Sequence, residues 1–390
     1  MAEPLFTRRF IALWLFAFVA FFSAFQLLPA IPFRILDLGG TKSAAGRFLA
    51  VYTFASAFAA PVMGTLADHI GRRRMLVIAS LLFIGFSMAY GVVTKLPLLL
   101  GIGVIHGALW SGILAASGAI MSETIPLSRR TEGLAYWGIA STAAVAVAPA
   151  IGLHVFEHGW FVLCVELAML SVVMTVWSAL MPHTERPAPS TRPALRETWD
   201  LRVTLTATSL AVASFGYGGI TSYAAILSVE RGIKPESLYF TVFAITIIVV
   251  RIFTSPLGDR FGPRRVLLPS LVMMPIAFIV LALAWSRAQL IASAILFGIG
   301  LGGAFPAFIA FILERTDPER RARTFGSVVW AFDTGIGSGS FAVGLMAQRW
   351  GFTTAFLVAA GFSCFSIPIF LASSRRLGRG TGVAPEAEHA

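Results

Sequence analysis

Twelve apolar runs, each long enough to cross a bilayer, are the feature that most limits what this chain can fold into. They lie at about residues 10–33, 47–66, 75–94, 97–121, 134–156, 160–181, 203–229, 238–257, 265–285, 288–312, 324–347 and 352–372. A helix needs about 20 mostly apolar residues to span the hydrocarbon core, and it pairs its backbone polar groups within the segment. No run alternates with the period of two that outer-membrane strands require. The sequence therefore predicts an all-α membrane protein with twelve transmembrane helices.

Composition and cysteine content agree with this class. Charged residues make up 13% of the chain, against about 25% in soluble domains. Arg8 and Arg9 precede the first run as in a signal peptide, but the run continues to about Phe33, so we expect a retained span. The two cysteines, Cys164 and Cys364, both lie in predicted spans and indicate neither a disulfide nor a metal site.

The net charge of +11 is distributed by side of the membrane. With the N-terminus placed inside, 21 of the 30 Lys and Arg residues fall in inner loops and termini, eight in outer loops, and Arg251 within a span. This excess is the positive-inside pattern, which predicts both termini in the cytoplasm of a bacterial inner membrane. The lipid bilayer, and not nucleic acid, is the expected partner of this basic chain.

The chain also repeats itself. A shift of 191 positions places "GTLADHIGRRRML" (64–76) on "SPLGDRFGPRRVL" (255–267), Glu123 on Glu314, and Arg130 on Arg321. The longest polar interruption lies between the two copies. We therefore predict two pseudo-symmetric six-helix bundles at 1–181 and 201–373, a cytoplasmic linker at 182–200 and a disordered tail at 374–390.

Parallel six-span repeats with cytoplasmic copies of G-x-L-x-D-x-x-G-R-R-R resemble the major facilitator superfamily, and the resemblance covers about residues 8–373. Glu123 followed by Arg130, and Glu314 followed by Arg321, are similar to the inner-side charge motif of sugar-type members. Pro149 in "AVAPAIG" (146–152) resembles an element of the exporters' fifth span. The resemblance implies two bundles around a central cavity that opens alternately to each side, in a protein that works as a monomer.

The duplicated loop motif is interpreted as a conformational latch. Gly64 would allow close helix packing, Asp68 at a helix C-terminus needs a cation, and Gly71 permits a tight turn before the arginines. The resemblance implies that such a cluster ties helix ends together in the outward-facing state, and ordinary topology-holding arginines are the alternative. The candidate latch residues are Gly64, Asp68, Gly71, Arg72, Arg73, Glu123, Arg130, Asp259, Gly262, Arg264, Glu314 and Arg321.

Ionisable groups inside the spans are the candidate functional residues, because a charge there costs at least about 2.5–3.5 kcal/mol. Asp333 is the main candidate for binding and releasing a coupling proton, with pairing to Arg251 as the structural alternative. Arg251 recognises an anion, pairs with Asp333 or snorkels to the interface. His106 and Glu166 are further proton-coupling candidates, with core packing and local pairing as their respective alternatives.

Polar and aromatic side chains on the predicted spans are the candidates for substrate contact. They are Gln26, His106, Trp110, Tyr217, Tyr223, Trp330 and Arg251, with ordinary packing as the default for any single aromatic.

The leading functional hypothesis is a secondary active transporter that exports a small organic solute in exchange for protons. An uptake symporter or passive facilitator is the rival within the class, and a non-transporting receptor or scaffold is the rival outside it. The sequence contains no enzyme motif such as HExxH or Gly-x-Ser-x-Gly and no ATP-binding motif. We therefore expect no enzymatic activity, no cofactor and no metal.

Overall fold

The computed structural model describes residues 4–126, 129–181, 201–316 and 321–378, and this part of the chain is helical, with no strand. The first six helices are α1 (Arg8–Asp37), α2 (Lys42–Ile70), α3 (Arg72–Val92), α4 (Leu96–Thr124), α5 (Arg130–Glu157) and α6 (Trp160–Leu180). The remaining helices are α7 (Leu201–Glu230), α8 (Leu238–Phe261), α9 (Pro263–Ala282), α10 (Arg287–Glu314), α11 (Arg321–Cys364) and α12 (Ser366–Gly378).

Within the described residues, ten segments are long and apolar enough to cross a membrane, and Leu238–Arg251 is a shorter apolar helix. The last of the ten runs continuously from Ser327 to Ser374, where the sequence predicts two spans. Gly351 interrupts α11 between those predicted spans with φ 80° and ψ 167°, a conformation that only glycine adopts readily. The merger of two predicted spans across this kink accounts for one of the two missing spans. The other is Leu238–Arg251, which within the described residues is too short to be counted.

Local sequence explains where several helices begin. The side-chain oxygen of Thr7 accepts a hydrogen bond from the Phe10 amide at 3.1 Å, and Thr41 does the same for Ala44 at 3.1 Å. Both threonines thus satisfy an amide that the first helical turn leaves without a partner. Gly71 and Gly262 have φ values of 101° and 83° and separate α2 from α3 and α8 from α9. The turn predicted from the repeated motif is therefore present in both copies.

The chain divides into two compact units, one of residues 1–190 and 221–245, the other of residues 191–220 and 246–390. In the first unit α1 packs mainly on α5, α2 on α4, and α3 on α6. In the second unit α9 packs on α10 and α11. The unit limits differ from the predicted bundles because Tyr223 and Glu230, at the end of α7, contact Lys42 of α2. The bundle and linker boundaries themselves stay predictions.

Candidate functional site

Asp333 is a carboxylate in the first half of α11. Its side chain is partly buried, and it makes no hydrogen bond or ion pair within the described residues. Trp330 precedes it by three positions and therefore shares its side of the helix. The neighbouring Phe332 ring lies 4.7 Å from the ring of Phe305 and 6.1 Å from that of Tyr217. Asp333 therefore follows, by one position, a residue that belongs to an aromatic cluster of α7, α10 and α11.

Close packing of α7 on α11 positions this part of α11. A Cβ at Gly339 would overlap the carbonyl oxygen of Phe215, and one at Gly335 would overlap that of Ala211. The hydroxyl of Ser214 also donates to the carbonyl oxygen of Phe332 at 3.0 Å. The small residues around Asp333, predicted to permit close helix contact, are therefore required where the two backbones touch.

Arg251 of α8 is partly buried and does not pair with Asp333, which makes no ion pair in the described part of the chain. The predicted Asp333–Arg251 pair is thus absent from this structure. Ser255 and Asp259, predicted to share a face of α8 with Arg251, have side chains outside the described residues. A role for Arg251 in anion recognition stays a prediction.

His106 lies in an aromatic pocket formed by α2, α3 and α4. Its ring centroid is 4.2 Å from that of Phe83 and 5.2 Å from that of Tyr52, and its Nδ1 shares a 3.2 Å hydrogen bond with the Tyr90 hydroxyl. A Cβ at the next residue, Gly107, would overlap the backbone of Tyr52, so α2 and α4 touch here. This setting favours the packing interpretation of His106. Its roles in proton coupling and substrate contact stay predictions.

Gln26 and Glu166, predicted separately, lie together. Nε2 of Gln26 in α1 donates to Oε1 of Glu166 in α6 at 3.2 Å. Gln26 is 0% exposed and packs against α5, where a Cβ at Gly152 would lie 2.7 Å from its Cα. Gln26 is therefore enclosed by helices of its own unit.

The aromatic candidates are mostly enclosed too. Trp110 is 6% exposed, and its ring meets that of Phe21 edge-on at 5.0 Å. Tyr217 is 5% exposed beside Phe297. Trp330 is partly buried, and its carbonyl oxygen accepts a hydrogen bond from Thr334 at 2.7 Å. Among these three, Trp330 has the side chain most open to a solute.

The first copy of the loop motif forms a cluster of charge contacts. Nε of Arg72 donates to Oδ1 of Asp68 at 2.9 Å, and its Nη1 contacts Oε1 of Glu123. Arg73 donates to the carbonyl oxygens of Ser178 and Ala179 at the end of α6. Two adjacent arginines thus hold the ends of α2, α4 and α6 to the start of α3.

The second copy is described only in part. Arg264 is exposed, and Glu314 pairs with the neighbouring Arg315 at 3.4 Å. The side chains of Arg130, Asp259 and Arg321 lie outside the described residues. At Gly64 an added Cβ would be in ordinary van der Waals contact with the Ala115 Cβ of α4, at 3.9 Å. Its role in the latch stays a prediction.

Sequence reasoning missed one contact between α2 and α7. Nζ of Lys42 lies 2.6 Å from Oε1 of Glu230, and the hydroxyl of Tyr223 donates to the carbonyl oxygen of Lys42 at 2.7 Å. Tyr223 was predicted to contact substrate but is fully buried in this junction. Tyr223 and Lys42 are 181 positions apart, and no local pattern in the sequence marks the pairing.

The apolar helices of membrane-spanning length in the described residues define a multi-pass membrane protein. The sequence matches the Major Facilitator Superfamily over residues 13–239 and 206–388, and the chain belongs to that family. This family is not a class of enzymes.

Several relatives and solved structures show the same likeness. The chain is 24% identical to the multidrug resistance protein MdtG of Klebsiella pneumoniae, over 93% of this chain and 92% of MdtG. It is 23% identical to a multi-drug resistance efflux pump PmrA homolog of Lactococcus lactis, over 85% and 86% of the two chains. The solved structure of a bacterial homolog of the human lysosomal transporter Spinster matches with a TM-score of 0.81 at 14% identity. The match covers 96% of this chain and 98% of the homolog. The solved structure of the nucleoside transporter NupG matches with a TM-score of 0.76 at 14% identity. The match covers 94% of this chain and 99% of NupG. These two structures support the fold alone.

Proposed function

We propose that this protein exports a small organic solute across the bacterial inner membrane in exchange for protons. Twelve helices in two six-helix bundles would give a bound solute access to each side of the membrane in turn, with both termini in the cytoplasm and the monomer as the working unit. The family and the multidrug efflux names of its relatives support a transporter of organic molecules. The asymmetric distribution of Lys and Arg supports the orientation.

Asp333 is the single observation that carries the proton-coupled mechanism. A carboxylate in a membrane helix is retained at a considerable free-energy cost and marks an ion or proton pathway. Among the described residues, no cation pairs with Asp333 and no hydrogen-bond donor contacts it, so no partner holds it permanently ionised. It can therefore take up a proton when it faces an apolar environment and release the proton to water. The rings of Trp330 and Tyr217 would contact an organic solute on the same part of the fold.

The test uses purified protein in liposomes that contain a pH-sensitive dye. Small organic solutes are screened under an imposed proton gradient for solute-dependent proton flux, and the active solute is then measured with Asp333→Asn. We expect the variant to lose at least about tenfold in proton-driven flux, because the Asn amide cannot accept a proton. Asp37→Asn, which changes an exposed carboxyl at the end of α1, is the matched control and should transport normally.

Three outcomes would contradict the proposal. Solute flux without proton movement, unchanged in Asp333→Asn, would make the protein a passive facilitator with a structural Asp333. Proton flux in the same direction as the solute would make it a symporter. If a broad screen finds no transported solute, the receptor or scaffold alternative gains support.

A further inference from the structure

We propose that Glu166 and Gln26 form a proton-binding site between α6 and α1, separate from Asp333 on α11. The two side chains are joined by the hydrogen bond from Nε2 of Gln26 to Oε1 of Glu166 at 3.2 Å. Each side chain has one further polar atom that is buried and has no hydrogen-bond partner. These atoms are Oε2 of Glu166 and Oε1 of Gln26.

A single proton would satisfy both unpaired atoms. Both oxygens of an ionised Glu166 are acceptors, and the unpaired oxygen of Gln26 is an acceptor too, so no hydrogen bond can form between them. With a proton on Oε2, the carboxyl group can donate to Oε1 of Gln26 while Nε2 of Gln26 still donates to Oε1 of Glu166. Carboxylic acid and amide are then joined by two reciprocal hydrogen bonds. The arrangement therefore fits the neutral acid better than the carboxylate.

None of the cations that the structure describes forms an ion pair with Glu166. Helices α1, α3 and α5 pack against α6. Apart from those at the inner ends of the helices, their described charged or titratable side chains are Arg34 and Asp37 of α1, Tyr90 of α3, and Tyr136, His154 and Glu157 of α5. Cys164 lies on α6 itself. His154 and Glu157 are exposed and pair with each other at 3.2 Å. Arg34 lies beside the Trp160 ring, 6.0 Å from its centroid.

The packing of α1 against α5 determines which helix contact would change when Glu166 loses its proton. Gln26 is held on its other side by α5, where a Cβ at Gly152 would lie 2.8 Å from the Gln26 carbonyl oxygen. Because α1 and α5 already touch, Gln26 has no space to withdraw in that direction. Release of the proton would leave a buried anion with one donor, and we expect it to open the α1–α6 contact to water. The pair thus links protonation to the position of α1 against α6.

The direct test does not depend on a transported solute. Infrared difference spectra of the purified full-length protein are recorded between acidic and alkaline pH. Because a protonated Asp333 would contribute a band of its own, every variant is made in the Asp333→Asn background. In that background we expect a protonated carboxyl band that is lost when Glu166→Gln is added and shifted when Gln26→Leu is added. Glu157→Gln, which changes an exposed carboxyl on α5, is the matched control and should leave the band unchanged. A band that persists in Glu166→Gln, or a Glu166 ionised at every pH at which the protein stays folded, would overturn the proposal.

The role of the site in transport rests on the proposed function and has its own measurement. In liposomes, Glu166→Gln should lower the number of protons moved per solute by at least about half while solute flux continues. An unchanged proton-to-solute ratio would refute the coupling role. Failure to find a transported solute would contradict only the proposed function, because the infrared band decides whether Glu166 binds a proton. If Glu166→Gln fails to fold, the band shift in Gln26→Leu remains decisive.

Discussion

Arg72 reaches back across the turn at Gly71 to Asp68, with Nε 2.9 Å from Oδ1, and the same guanidinium contacts Glu123 of α4. One side chain therefore joins the ends of α2 and α4 to the start of α3. A planar guanidinium can engage two carboxylates at once in fixed directions, whereas an ammonium acts as a point charge. The contact explains why an apolar chain contains such a dense charged segment.

We predict that Arg72→Ala lowers the free energy of unfolding by roughly 1 kcal/mol and slows transport. The stability effect is small because both carboxylate side chains are about half exposed and therefore screened. Arg72→Lys should recover only part of the loss. Thermal unfolding in detergent and transport in liposomes measure the two effects. Arg74→Ala, at an exposed neighbour, is the control, and an equal loss there would argue against a specific latch.

Gly339→Ala should destabilise the second unit by about 1–3 kcal/mol, because the added methyl overlaps the Phe215 carbonyl oxygen and forces α7 and α11 apart. Gly361→Ala is the matched control, since nothing lies within 4 Å of a Cβ there. That control should be neutral or slightly stabilising through higher helix propensity. Unfolding midpoints of the two variants provide the comparison. Equal midpoints would mean that α7 and α11 are not held by backbone contact.

Tyr90→Phe should cost about 1 kcal/mol of stability, because it leaves Nδ1 of His106 without its partner in an apolar pocket. If His106 is a packing residue, the variant should transport at close to the wild-type rate, with its pH dependence unchanged. Initial rates over a range of pH test this expectation. A displaced pH profile would instead indicate that His106 carries a proton during transport.

The Lys42–Glu230 pair should show a coupling free energy of about 0.2–1 kcal/mol in a double-mutant cycle. The value is small because the side chains are 23% and 44% exposed. The coupling should weaken as salt is raised. Lys42→Ala, Glu230→Ala and the double variant are compared by thermal unfolding, with Lys234→Ala, at an exposed position nearby, as the control. A coupling that is independent of salt would contradict a screened ion pair.

Features encoded locally could be predicted from the sequence, and features that depend on helix orientation could not. Run length and hydropathy indicated the membrane helices, and spacing within one motif indicated the turn at Gly71 and the contact of Arg72 with Asp68. Glu166 could be identified as an ionisable group in a span, but its partner is 140 positions away on α1. Only the packing of α1 on α6 brings them together. Periodicity does not reveal which helix a given face will meet.

The same limit applies to Gly64 and Gly107. An added Cβ at Gly64 would be in ordinary contact with α4, whereas one at Gly107 would overlap the Tyr52 backbone of α2, and the sequence does not distinguish the two positions. Hydropathy does not show which glycine of a helix lies closest to the neighbouring helix, because the crossing point depends on how both helices tilt. Asp333 was identified without this information, since its cost in an apolar span depends on its own chemistry.

Gly351 also determines how many times the end of the chain crosses the bilayer. At 1.5 Å per residue, an unbroken helix over the 44 residues of α11 would be about 66 Å long, roughly twice the thickness of the hydrocarbon layer. Such a rod would have to project far into water with its apolar side chains uncovered. A change of direction at one residue lets the same sequence turn back instead. The side of the membrane on which the last residues emerge thus depends on a position that has no side chain.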